Sequence, residues 1–85
     1  MSRYWLAYKQ EGRFAGVVIV DAHSLPGARK RASSKTGQKM RFASYTELLV
    51  ELAELVPTRA IGRMLSPTEA AKLIRRFERW ISGRL

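Results

Sequence analysis

Four consecutive residues, Val17-Val18-Ile19-Val20, limit what this chain can fold into more than any other feature. They belong to a run from Phe14 to Asp21 that is rich in β-branched side chains and reads as a strand. Successive strand residues point to opposite faces, so Val18 and Val20 share one face and Val17 and Ile19 the other. A strand with one wet face alternates apolar and polar residues. This one does not, so both of its faces need a cover. Helices supply one cover. A second copy of the chain is a candidate for the other, which gives the expectation of a homodimer.

Arg3 to Lys9 reads as the partner strand, free of helix and strand breakers, with Tyr4, Leu6 and Tyr8 on one face. Gln10-Glu11-Gly12-Arg13 lies between the two runs as a turn in which Gly12 can take a positive φ. The pair predicts an antiparallel hairpin. Beyond it, Ser24 offers an N-cap, Pro26 suits a first helical turn and Gly37 suits a C-terminal stop. That helix buries Leu25, Ala28 and Ala32 at most and turns Arg29, Lys30, Ser33 and Lys35 outward. Lys39 to Ala43 reads as a short third strand.

Ser44-Tyr45-Thr46-Glu47 and Ser66-Pro67-Thr68-Glu69 both place a serine three residues before a glutamate, the pattern of a capping box. The first predicts a helix running to about Val56, stopped by Pro57, with Leu48, Leu49, Leu52, Leu55 and Val56 inward. The second predicts a helix from Pro67 to about Ser82. At about 100° per residue, Ala70, Leu73, Ile74, Phe77, Trp80 and Ile81 fall within an arc roughly 120° wide, opposite Lys72, Arg75, Arg76 and Arg79. Thr58 to Leu65 is a loop or a short extra helical turn.

Together these elements predict one α+β domain over residues 1–85, in the order β-β-α-β-α-α. Its sheet is three-stranded and antiparallel, with strand order 2-1-3 and helices packed on one face. Eighty-five residues, 46% of them hydrophobic and 27% charged, suit an ordinary globular domain with one modest core. No apolar run approaches the roughly 20 residues that span a bilayer, and the N-terminus lacks a secretory layout. The sequence holds no cysteine. A cytoplasmic protein without membrane contact is expected.

Charge points to the partner. Between Asp21 and Glu47 no residue is acidic, yet six are cationic: Arg29, Lys30, Arg31, Lys35, Lys39 and Arg41. Lys72, Arg75, Arg76 and Arg79 form a second cluster, and the two supply ten of the sixteen lysines and arginines behind a formal net charge of +9. Like charges on a small domain repel, so a polyanionic partner is the simplest reason to keep them. Lysine and arginine neutralise phosphates and release condensed counterions, which makes nucleic acid the expected partner, DNA ahead of RNA. The plain alternative is a solubilising surface. Ser33, Ser34 and Thr36 would add hydroxyl donors to phosphates. Tyr4, Trp5, Tyr8 and Phe14 would offer stacking faces on an open sheet, although core packing is the commoner use of such residues.

Little supports catalysis. His23 is the one histidine, and Asp21 could orient it, but no nucleophile accompanies the pair. Metal-ligand spacing is absent and the glycines are scattered, so neither a metal nor a cofactor is expected.

Two resemblances bear on function. Thr58-Arg59-Ala60-Ile61-Gly62-Arg63-Met64-Leu65, followed by a capped helix carrying Arg75 and Arg76, resembles a helix-turn-helix. That implies a short helix, a tight turn and a recognition helix in the major groove. The turn here is shorter than that family's, and the basic row spans the helix middle. Trp5-Leu6-Ala7-Tyr8-Lys9 with Gly12, and Asp21-Ala22 leading to Ser24-Leu25, Ala28, Arg31, Ala32 and Ser33, are similar to two pieces of a small phage anti-CRISPR protein, in the opposite chain order. That resemblance implies a non-enzymatic phage- or plasmid-type adaptor or inhibitor that occupies a nucleoprotein complex. A membrane-surface role for the last helix fits less well. Its cations lie opposite Trp80 and the apolar face, where interfacial helices place them alongside.

Overall fold

A computed structural model describes residues 1–84. β1 (Ser2–Gln10) and β2 (Arg13–Ala22) form the hairpin, joined by Glu11 and Gly12. Both joining residues hold positive φ, 54° and 76°, the mirror-image turn whose twist matches that of the strands it joins. β3 (Arg41–Glu47) pairs with the other edge of β1, and the two-residue β4 (Met64–Leu65) pairs with β2. The result is an α+β fold with a four-stranded antiparallel sheet in the order β3-β1-β2-β4.

The expected three-stranded sheet in the order 2-1-3 is therefore corrected. β2 is an interior strand, because the chain after the 3₁₀ turn Thr58–Ala60 returns along it. Gly62 N donates to Ile19 O at 2.7 Å, and Leu65 and Met64 pair with Val17 and Val18.

Helices lie on both faces of the sheet, where one face was expected. α1 (Leu25–Ser33) sets fully buried Ala28 and Ala32 against Tyr4, Leu6, Tyr8, Val18 and Val20. Two methyl-sized contacts let that helix sit close to the sheet. On the other face, α3 (Pro67–Arg84) presses Ala70, Leu73 and Phe77 toward Val17 and Ile19, with Leu48, Val56, Ala60 and Leu65 completing the layer. All four residues from Val17 to Val20 are at most 5% exposed. The chain covers β2 by itself on both faces, which removes the reason for expecting a second copy there.

The two serine–glutamate patterns part ways. Ser66 Oγ accepts from Glu69 N at 3.2 Å and Glu69 Oε1 accepts from Ser66 N at 3.1 Å, a complete capping box at the start of α3. Ser44 to Glu47 are instead the second half of β3, laddered on β1, and Leu48 N extends that ladder to Arg3 O at 2.8 Å. The helix expected there shrinks to α2 (Val50–Ala53). α1 stops at Ser33, four residues short of the expected glycine stop. There Ser33, Ser34 and Thr36 hydroxyls donate to the carbonyls of Lys30, Arg31 and Ser33. α3 also buries a narrower stripe than expected, with Ile74 and Ile81 about half exposed.

Two contacts lock the sheet. Arg3 donates through Nε and Nη2 to both carboxylate oxygens of Asp21, its cross-strand partner, at 2.7 and 3.0 Å, and through Nη1 to Ala53 O at 2.8 Å. The guanidinium holds the Asp21 carboxyl below its ordinary pKa. Gly16 is where β4 crowds β2. Its φ is 155°, and a Cβ there would run into Leu65 O and lie 2.7 Å from Met64 Sδ. Gly16→Ala is expected to cost roughly 2–3 kcal/mol, read as a lower urea midpoint, because β4 would have to lift from β2. Gly12→Ala, with open space around its Cβ, costs only the positive-φ penalty of about 1 kcal/mol.

Candidate nucleic-acid interface

All ten expected cations are exposed. Among the described residues the ion pairs are Arg3–Asp21 and Arg63–Glu69, and neither uses any of the ten. The positive charge is thus open to solvent and not neutralised from within.

The two clusters lie on opposite faces of the sheet, except that Arg41, next to the Phe42 that packs under α1 with Tyr8, points to the α3 side with its strand partner Lys9. Arg29, Lys30, Arg31 and Lys35 lie on α1 and just past its end, and Lys39 and Arg41 follow into β3. Lys72, Arg75, Arg76 and Arg79 lie on α3, across the sheet from α1. The split follows directly from the two-sided burial of β2, since each basic helix covers a different face.

Several of the cations have local roles. Lys30 and Arg31 occupy the last turn of α1, where positive charge complements the helix dipole. The Arg29 guanidinium stacks 4.2 Å from the centre of the Phe42 ring, which itself meets Tyr8 edge-on at 6.0 Å. A stack of this kind is worth about 0.5–1 kcal/mol at an exposed site and leaves the guanidinium rim able to donate. Arg41 Nη1 donates to Gln38 O at 3.2 Å. Arg76 Nη1 donates to Leu55 O at 3.0 Å, tying α3 to the segment after α2. No side-chain hydrogen bond ties down Lys30, Arg31, Lys35 or Lys39 among the described residues.

The supporting residues fare less well. The hydroxyl protons of Ser33, Ser34 and Thr36 are used on backbone carbonyls, so they are not standing donors to a phosphate. Tyr4 and Tyr8 are buried under α1, and Trp5 meets Phe77 edge-on at 5.8 Å. Of the four proposed stacking faces only Phe14, 45% exposed, is open. Asp21 is held by Arg3, so it does not orient His23. The helix-turn-helix expectation is overturned: Thr58–Ala60 is a single 3₁₀ turn, and β4 stands where the motif needs its tight turn.

Further cations join the two surfaces. Lys9 pairs with Arg41 on one side and Phe14 on the other, so Arg41, Lys9 and Phe14 form a row across β3, β1 and β2 near the hairpin end. That row depends on the β3 register, which no local signal encodes. Arg59 and Arg63 join Lys72 and Arg76 around a cleft of about 190 Å³ between the 3₁₀ turn and α3. The four-residue spacing of Arg59 and Arg63 was a visible signal, but it was absorbed into the helix-turn-helix reading.

No protein-family model, curated protein or solved structure matches this chain. Among the described residues no helix is long and apolar enough to cross a membrane.

The local roles separate by mutation. Arg76→Gln is expected to lower stability by about 0.5–1.5 kcal/mol through the lost bond to Leu55 O. Lys72→Gln, Arg75→Gln and Arg79→Gln should stay within about 0.5 kcal/mol of the parent in urea titrations.

Proposed function

We propose that this chain is a non-enzymatic, cytoplasmic nucleic-acid-binding protein, with DNA as the favoured partner, that grips the phosphate backbone through Arg29, Lys30, Arg31, Lys35, Lys39 and Arg41. One observation carries the reading: these six cations are exposed, free of carboxylate partners, and follow one another along α1 and into β3. Helix-dipole complementation accounts for Lys30 and Arg31, but Lys35 and Lys39 lie beyond the helix and need another reason. Phosphate contact supplies it. Lys72, Arg75, Arg76 and Arg79 add a second basic surface on the far side, suited to another segment of the same polyanion. The non-enzymatic reading is supported by an exposed His23 whose candidate carboxylate partner is occupied by Arg3.

A second reading, the anti-CRISPR-like adaptor on a nucleoprotein complex, is favoured by a different corner. Met1, Leu49 and Val50 expose apolar surface beside Glu47 and Glu54. A corner of that chemistry suits protein better than phosphate.

Fluorescence anisotropy with labelled DNA and RNA at two ionic strengths tests the proposal. Binding is expected at about 0.1 M salt and should weaken as salt rises. Replacing Lys30, Lys35 and Lys39 together by glutamine should lower the log–log salt slope by about three and the affinity by at least about tenfold. Absence of binding to either probe, or a slope untouched by the triple substitution, overturns the proposal. Silence toward naked probes with stable binding to a purified nucleoprotein complex favours the adaptor.

A further inference from the structure

The cleft between the 3₁₀ turn and α3 is a different kind of site from the open basic surfaces. Arg59, Arg63, Lys72 and Arg76 all line it, against the single carboxylate of Glu69. That carboxylate is engaged already: Arg63 Nη2 donates to Glu69 Oε2 at 2.7 Å, and Ser66 N donates to its other oxygen. These bonds hold the Glu69 pKa down to about 2, so it stays ionised yet offsets only one of the four cations. Arginine does not shed its proton to relieve the remainder.

Two of the guanidiniums are held in place by the protein. Arg63 Nε donates to Arg59 O at 2.9 Å, and Arg76 Nη1 donates to Leu55 O at 3.0 Å. Arg63 Nη1 and Arg76 Nη2 have no hydrogen-bond partner among the described residues. Side chains tethered in this way lose little further freedom when an anion arrives, which favours binding. Half-buried Pro57 edges the cleft, and its floor is the buried core residues Ala60, Leu65 and Leu73.

We infer that this cleft binds a phosphate monoester, with Arg59, Arg63, Lys72 and Arg76 converging on its terminal oxygens and the rest of the molecule extending out of the cleft. A monoester carries close to two charges near neutral pH and three terminal oxygens, and so engages several separately directed cations at once. A mid-strand diester offers one charge and two oxygens, and it cannot enter a recess without bending the strand. The monoester can come from the 5′ end of a nucleic-acid strand or from a small phosphorylated molecule. Only the first source rests on the function proposed above.

The experiment uses the full chain and three probes: inorganic phosphate, a 5′-phosphorylated oligonucleotide and the same oligonucleotide ending in a 5′-hydroxyl. Inorganic phosphate should shift the amide resonances of Arg59, Arg63 and Leu73, and the 5′-phosphorylated strand should bind about tenfold more tightly than its hydroxyl counterpart. Arg59→Gln and Lys72→Gln should abolish both effects. Neither side chain makes a hydrogen bond within the described residues, so the fold is expected to survive. Lys35→Gln, across the sheet, should weaken both oligonucleotides equally and keep the end preference. Cleft shifts with inorganic phosphate but no end preference support the site with a small-molecule source, whether or not the oligonucleotides bind. Oligonucleotides that bind equally, with no cleft shifts from inorganic phosphate, overturn the inference and leave the proposed function standing. Shifts or preferences that persist in both cleft variants overturn it as well.

Discussion

Burial of the Val17–Val20 stretch of β2 on both faces organises this molecule. Withdrawing Val17, Val18, Ile19 and Val20 from water is worth roughly 1.5–3 kcal/mol per side chain, and it demands apolar cover above and below the sheet. The chain meets that demand with two different surfaces. α1 brings two alanines and lies close, whereas α3 brings Leu73 and Phe77, with Leu48, Val56 and Leu65 filling in around them. Arg3 then clips β1 to β2 through Asp21 and reaches the end of α2, so one guanidinium connects the hairpin to the second layer.

The same arrangement governs electrostatics. Each covering helix turns its polar side outward, and both polar sides are basic. Positive charge therefore emerges on two opposed surfaces, while Asp21, Glu47 and Glu54 collect with exposed Leu49 and Val50 at the corner where β1 begins. A polyanion lying along α1 would not reach α3 without bending around the domain. The sheet is what separates the two basic helices, and the cleft beneath α3 is a recess where the α1 surface is open.

Much of the hairpin, α1 and α3 was legible because each is specified by neighbouring residues. Glu11-Gly12 encodes the tight turn, Ser24 accepts from Gly27 N, and Ser66 and Glu69 close their box within four residues. The same reasoning misread Ser44-Tyr45-Thr46-Glu47. An open edge on β1 offers those residues a ladder of backbone bonds, and Tyr45 and Thr46 suit a strand, so the distant partner outweighs the local cap. β4 left no trace in the sequence. It is two residues long and exists because Gly16 lets Leu65 approach β2. The basic residues were legible as a list, but their partition between two faces was hidden until the far cover of β2 was known. For the same reason Arg59 and Arg63 were not grouped with Lys72 and Arg76.

The register slip between β1 and β3 has a consequence for how copies of this protein behave in a crowd. The pairing jumps from Ala7–Ser44 to Tyr8–Phe42 and skips Ala43, in the middle of the outermost strand. A bulge there bends the strand and sharpens its twist, and Arg41 and Glu47 bracket it with charge. At the opposite margin β4 is too short to template another chain. Copies gathered side by side therefore find no flat, continuous rim along which they could zip into fibrils.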